Sequence, residues 1–399
     1  MVVKGILAMG IIKKEASDLL ILLVLFLIVS FFIFNHLGVK NVTDSARYLD
    51  YARNLEDGFY IEKHNFWYIG YVILIFIVQA LTGSYNELNL ILFQYLYSLF
   101  GLVFLYKTIK IFHGTTPAPL IGGVLFLVFI EISIWNSYIL CESFYFNNIV
   151  LTFYFLAKTF IQKKFTVTNI ALSVFFTILT TFSKPTGIVI ILSIASTAYL
   201  YFWLNSKWHL RIKIITFFLV NFMIGYLINM MIETFQIIEN YQFGEIIYNI
   251  LSLPQKAEYN SLTHTVPELN LLPPQFPPLI RLIHFILFNF EFWCILFLKK
   301  IYFFLMHIRP YWSLKHNLYN IIILLPINIL ALWQIVITNN FVKFFILIYL
   351  VLHILIVGIT TVDWDGRFFL PLIPIIIIFA AQRIYILNVS LKHYISLKF

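Results

Sequence analysis

The chain has 399 residues, 61% of them hydrophobic and only 11% charged, with a mean hydropathy of +0.90. A soluble domain carries roughly 25% charged residues, so this composition cannot furnish a water-facing surface and a soluble globular domain is excluded. The formal net charge of +9 comes from 27 lysines and arginines against 18 acidic residues, and its meaning depends on where those cations fall.

Several stretches run about 18 to 22 residues with little or no charge, the length that crosses roughly 30 Å of hydrocarbon as a helix. They are continuous, without the apolar/polar alternation of a membrane β-barrel, so the spanning elements are helices. Lys4, Lys13 and Lys14 precede the first run, Leu19–Leu37, with Asp18 placed as its N-cap. That run is too long for a signal-peptide core and no small-residue cleavage site follows it, so it reads as a retained first helix starting in the cytoplasm. The expected spans are 19–37, 88–107, 117–135, 142–160, 168–183, 186–204, 213–232, 318–337, 341–359 and 368–387. Two more apolar segments, 66–82 and 279–298, are ambiguous.

Orientation follows from lysine and arginine. If neither ambiguous segment crosses, the two termini and the loops near 110, 163, 209 and 339 share one side, with 15 of the 27 basic residues and two of the 18 acidic ones. The other side then takes the remaining 12 basic and 16 acidic residues. Letting only 66–82 cross would invert every later loop, so both ambiguous segments are expected to lie on, or dip into, the outer face. The positive charge is thus a topology signal, and a nucleic-acid partner has no support. The expected fold is an all-α polytopic bundle of about ten helices (10–12) in a single transmembrane domain, 1–399.

Within that frame, four polar positions collect on the outer side: Asp44, Glu142, Lys184 and Arg367. Charge close to hydrocarbon is costly and marks function by default. Each also has a plain structural explanation. In outer loop one, about 38–65, Thr43 or Asp44 can cap a short helix with an apolar stripe at Ala46, Leu49, Ala52 or Arg53, and Leu55, stopped by Gly58. Glu142 opens an apolar helix, where a carboxylate suits the dipole. Lys184 sits in a turn made by Pro185 and Gly187. Arg367 could pair with Asp363 or Asp365. The long outer region, about 233–317, holds Pro254, Pro267, Pro273, Pro274, Pro277 and Pro278, which exclude regular structure near 254–278. It ends in Arg309-Pro310-Tyr311-Trp312, an aromatic and basic segment suited to a lipid phosphate, a glycan or the membrane interface. Cys141 and Cys294 read as small buried hydrophobes rather than a disulfide. No zinc spacing, phosphate-binding glycine loop or dinucleotide fingerprint is present.

The order of these pieces resembles the GT-C superfamily of membrane glycosyltransferases, closest to the polyprenyl-phosphate-sugar-dependent group of aminoarabinose transferases and protein O-mannosyltransferases. Carrying the resemblance are Asp44 ahead of Tyr48-x-x-x-Ala52-x-x-Leu55, Gly122-Gly123 before the Cys141-Glu142 step, Thr181-Phe-Ser-Lys-Pro-Thr-Gly187, and Arg367-Phe-Phe-Leu-Pro371-Leu-x-Pro374. The sequence departs from the family where Ser45 follows Asp44 in place of a second acid, and where Phe368 replaces tyrosine. The resemblance implies sugar transfer from a polyprenyl-phosphate donor to a lipid, glycan or protein acceptor on the outer face of a bacterial inner membrane, with inversion. Asp44 would be the base and Glu142 would assist it, while Lys184 and Arg367 hold the phosphate and Arg309 and Tyr48 contact substrate. A phosphate leaving group needs no metal in principle, and no cofactor is expected. The rival readings are a transporter or flippase of lipid-linked glycans, a glycan polymerase or ligase, and a membrane scaffold.

Overall fold

A computed structural model describes residues 2–83, 86–114, 116–252, 257–338 and 342–398. Pro254 and the expected loop near 339 lie outside them. Among the described residues the chain is all-helical, with three isolated bridges and no strand. Among the described residues, nine helices are long and apolar enough to cross a membrane, or up to eleven if each of two bent pairs is one span. The protein is an integral, polytopic membrane protein. Its contacts divide it into two compact units, 1–187 with 326–339 and 370–399, and 188–325 with 340–369.

The first unit opens with α1 (Val2–Leu37), α2 (Thr43–Asn54), α3 (Ile69–Thr82) and α4 (Glu87–His113). It continues with α5 (Ala118–Val128), α6 (Ile130–Ile134), α7 (Glu142–Leu156) and α8 (Val167–Thr181). The second unit holds α9 (Ile188–Asn205), α10 (Leu210–Thr234), α11 (Ile237–Tyr241), α12 (Pro278–Phe288), α13 (Phe290–Met306) and α14 (Leu314–Tyr319). Then come α15 (Leu325–Ile337), which returns to the first unit, α16 (Val342–Ile359) in the second, and α17 (Ile373–Lys398) in the first.

Polar contacts at helix ends give the first unit its two poles. Lys110 Nζ donates to Glu15 Oε2 at 2.5 Å, Tyr106 to Asp18 at 2.9 Å, and Asn41 to Glu87 at 2.8 Å, so α1 from Glu15 onward and α4 run antiparallel. The expected N-cap at Asp18 is corrected: α1 runs straight through it, and its buried carboxylate serves Tyr106 instead. At α5, Gly122 and Gly123 admit close neighbours, since a Cβ would lie 2.1 Å from Ile109 Cδ1 and 2.4 Å from Leu22 Cδ1, respectively. The expected span at 117–135 is broken: the chain bends by 62° at Phe129.

α7 is the most enclosed of the candidate spans, and polar pairs bind it to its neighbours. Thr152 meets Thr180 at 2.9 Å and Thr159 meets Ser173 at 3.3 Å, while Asn148 donates to Ser183 at 3.1 Å. Helices in lipid gain little from apolar burial against one another, so such hydrogen bonds and close packing do the joining. Gly101 is the close-approach point of α4, because a Cβ there would stand 1.8 Å from Asn147 Oδ1. α8 has only 15 residues, yet it returns the chain from the far end of α7 to its start, helped by the non-helical residues on either side.

α3 is long enough, with its 3-10 entry, to cross a membrane, but both of its ends lie at the Glu142 pole. Gly70 N–H donates to the Phe182 carbonyl at 2.8 Å and Tyr71 Oη to Gln94 at 2.8 Å. At the other end, Gly83 is four residues from Glu87, so the chain confines it within about 14 Å of the start of α4. The helix therefore lies across the pole, with Tyr71, Leu74, Ile75 and Val78 buried and Ile73, Ile77 and Leu81 turned outward.

In the second unit, α12 and α13 meet at 101°. The long region between α11 and α12 is irregular from 263 to 277, as its prolines require, but Ala257–Leu262 forms a 3-10 helix where no regular structure was expected. It is pinned by Ile246 N–H to the Leu262 carbonyl at 3.0 Å and by Tyr248 N–H to the Val362 carbonyl at 3.0 Å.

Cysteines placed at Glu62 and Thr82, in a Cys141→Ala, Cys294→Ala background, should both react with an impermeant maleimide from the same side of intact cells. Labelling from opposite sides would mean that α3 crosses.

Candidate active site

The Glu142 pole of the first unit gathers most of the expected site residues. The strand-like link comes first: Lys40 N–H donates to the Ser137 carbonyl at 2.8 Å and Ile139 N–H to the Lys40 carbonyl at 3.0 Å. This pins the exit of α1 to the loop that leads into α7, about 100 residues later in the chain, and so sets α2 beside Glu142.

The N-cap of α2 is Val42, in extended conformation, which corrects the expected cap at Thr43 or Asp44. Capping comes from Ser45, whose Oγ accepts from Val42 N–H at 3.0 Å while its own N–H donates to the Val42 carbonyl at 2.8 Å. The buried face is Ser45, Tyr48, Leu49 and Ala52, with Tyr51 beside it, whereas Ala46, expected in the stripe, is exposed. Gly58 ends the segment at φ 126 as expected.

Asp44 stands in the first turn with its side chain 36% exposed, 3.6 Å from Arg47 Nη2. Arg47 is the residue that sequence reasoning missed. Its guanidinium lies 4.8 Å from the Tyr48 ring centroid and 4.7 Å from that of Tyr68, and Nη2 donates to Tyr48 Oη at 2.9 Å. Burial opposes the Arg47 charge, but Tyr48, Tyr68 and Asp44 around it hold its pKa above the ordinary value. Tyr48 is driven the other way from ionisation: burial, then Cys141, Tyr68 and the Glu142 carboxylate, raise its pKa well above that of a free phenol. It stays a neutral hydroxyl between Arg47 and Glu142.

Glu142 and Lys184 form a buried ion pair, Nζ to Oε1 at 2.9 Å, with side chains only 2% and 5% exposed. The Cys141 thiol adds a weak contact to the other carboxylate oxygen at 3.7 Å. The Lys184 turn is held tightly. Gly187 N–H donates to the Lys184 carbonyl at 2.8 Å, and a Cβ at Gly187 would fall 2.3 Å from the Thr180 carbonyl oxygen, so no larger residue fits. Thr186 donates to Tyr145 Oη at 3.3 Å. The Lys-Pro-Thr-Gly run is thus a rigid turn that delivers one ammonium to one carboxylate.

Arg367 and Arg309 belong to the second unit. Arg367 Nε pairs with Asp365 at 3.3 Å and is partly exposed. Arg309 was expected to contact substrate, but its side chain is 1% exposed and faces inward. It donates to the carbonyls of Phe303 at 2.6 Å, Ile308 at 2.9 Å and Asp363 at 3.1 and 3.3 Å. The structure gives it a framework part, because its fixed donors tie carbonyls at the end of α13 to that of Asp363.

Among the described residues no group of three or more His, Cys, Asp or Glu is placed to hold a metal ion, and both cysteines are free. No family model matches the chain, and no curated protein matches it.

Removing one member of a buried ion pair leaves the other charge uncompensated, at a cost of about 3–5 kcal/mol. Glu142→Gln should therefore lower the thermal midpoint of the detergent-purified protein markedly. The double variant Glu142→Gln, Lys184→Met should recover most of that loss, as measured by thermal unfolding.

Proposed function

We propose that this protein is an inverting membrane glycosyltransferase that moves a sugar from a polyprenyl-phosphate carrier to an acceptor hydroxyl at the Glu142 pole. The observation that carries the reading is the gathering of Asp44, Arg47, Tyr48, Glu142 and Lys184, from three distant chain segments, at one pole of an otherwise apolar bundle. The order of motifs shared with the GT-C superfamily supports it. The charge bias of the loops supports placing this pole on the extracytoplasmic face, with both termini in the cytoplasm of a bacterial cell.

In the proposed step, the acceptor oxygen attacks the anomeric carbon from the side opposite the phosphate. The bond from that carbon to the phosphate oxygen breaks, its electron pair leaves on the phosphate, and the acceptor proton passes to Asp44. Asp44 suits the base because it is the accessible carboxylate, whereas Glu142 is already bound to Lys184. Arg47 offers a planar guanidinium for the carrier phosphate, a geometry that matches two phosphate oxygens. Tyr48 stays neutral and orients the guanidinium by accepting from it. The Glu142–Lys184 pair acts as a fixed dipole beneath this group, already in place before the charge moves.

A second reading has one observation in its favour. The breaks at Phe129 and Asn289 bend two apolar helices by 62° and 101°, and broken helices are a mark of transporters. A flippase of lipid-linked sugars would use the same ligand without breaking its glycosidic bond.

Membranes holding wild type, Asp44→Asn or Arg47→Ala should be given radiolabelled polyprenyl-phosphate sugars together with cell-envelope acceptors. Wild type should transfer label, and Asp44→Asn should lose it by about 10²–10⁴-fold at equal protein level, the range for a general base. Arg47→Ala should raise the donor concentration needed. Equal transfer by Asp44→Asn would reject the base assignment, and movement of intact donor across vesicles without transfer would favour the flippase.

A further inference from the structure

At the pole of the first unit opposite Glu142, the chain leaves α7 through a π-helical turn, Ala157–Ile161, a rare form that often marks a functional site. This turn carries Lys158, whose Nζ lies 5.6 Å from the ring centroid of Tyr154 and 6.0 Å from that of Phe155. On α4, Lys107 Nζ lies 5.3 Å from the centroid of Phe104. The Phe104 ring packs in turn on Tyr154 at 4.8 Å and on Phe155 at 6.1 Å. Two helices thus rest their ammoniums on one patch of three rings.

Neither cation is neutralised there. Glu15 is taken by Lys110 and Asp18 by Tyr106, and among the described residues no carboxylate pairs with Lys107 or Lys158. Lysines that only flank a membrane span reach into water, as the exposed Lys163 and Lys164 do. Lys107 and Lys158 are half-buried instead, held against the rings by their attraction for the aromatic faces. Charge kept this close to hydrocarbon calls for a counter-ion.

The surface beside the patch selects the kind of anion. The helical repeat puts Leu96, Phe100 and Lys107 on one face of α4, and Leu96 and Phe100 are exposed. From Leu96 to Lys107 this strip runs about 16 Å, close to half of a hydrocarbon core of roughly 30 Å. A soluble anion would meet the cations and leave the strip unused. A lipid with no net head charge would bring its own cation to the two lysines. A phospholipid with a net negative head satisfies both features, its phosphate on the ammoniums and an acyl chain along Phe100 and Leu96, as basic pockets between membrane helices do elsewhere.

We infer that the Lys107–Lys158 patch binds one anionic phospholipid. The inference goes beyond the transfer reading and requires no catalytic step, since the patch and the Glu142 group stand at opposite poles of the first unit.

The test is native mass spectrometry of the full chain, delipidated in detergent, with phosphatidylglycerol and phosphatidylcholine of matched chains as probes and glycerol 3-phosphate as the soluble anion. One phosphatidylglycerol should be held at least about tenfold more tightly than phosphatidylcholine, and glycerol 3-phosphate at up to about 10 mM should not displace it. Lys107→Gln combined with Lys158→Gln should cut that preference to about twofold or less while the protein still elutes as a single species. Lys163→Gln combined with Lys164→Gln removes as much charge from exposed positions at the same pole and should bind as wild type does. Asp44→Asn should do the same, which separates this site from the proposed catalytic one. The inference is overturned if wild type binds the two lipids alike or if glycerol 3-phosphate competes. It is also overturned if the Lys107, Lys158 variant keeps the preference, or if the Lys163, Lys164 variant loses it as fully.

Discussion

The buried contact between Glu142 and Lys184 is the constraint on which the candidate site depends. Each charge alone would be too costly to hold inside an apolar helical bundle, so each requires the other. Meeting that requirement dictates local structure at both ends. Glu142 must open α7, where its carboxylate also faces the positive end of the helix. Lys184 must come from a turn tight enough to present its ammonium at 2.9 Å, and the contact of Gly187 with the Thr180 carbonyl shows how little room that turn leaves.

From that pair the polar order extends along the α7–α8 interface through Asn148 with Ser183 and Thr152 with Thr180, then past the stacked rings of Phe155 and Phe176 to Thr159 with Ser173. These are modest interactions, about 0.6–2 kcal/mol each in membrane helices, and their effect is mainly to choose a register. A one-turn slip would strand buried hydroxyls and amides, and it would also separate Lys184 from Glu142. Tyr97, donating to Asn148 at 2.5 Å, ties α4 into the same register. α2 then meets the pole through the short bridge at Lys40 and Tyr138, so Asp44, Arg47 and Tyr48 are placed by contacts remote from their own helix. In the second unit Arg309 has a comparable organising part, though its partners are backbone carbonyls rather than a carboxylate at close range.

Hydropathy alone determined that this is an all-helical membrane protein, and it located most of the long helices to within a few residues, because apolar length is a property of each segment by itself. The polar outliers Asp44, Glu142 and Lys184 were also visible, since a charge in apolar surroundings stands out without knowledge of its partner. Only the tertiary structure decided who pairs with whom. Lys184 looked like a turn residue, and its partner lies 42 residues away. Arg47 did not stand out at all, because Tyr68, which lies against its guanidinium, comes from another segment. Arg309 looked like a ligand contact because its sequence neighbours are aromatic, yet the carbonyls that claim it include Asp363, 54 residues on. Likewise α3 has a composition fit to cross, and its resting place across the pole follows from Phe182 and Gln94. Composition reports the solvent that a segment prefers; the direction of a helix and the partner of a charge are set by long-range contacts, which composition does not encode.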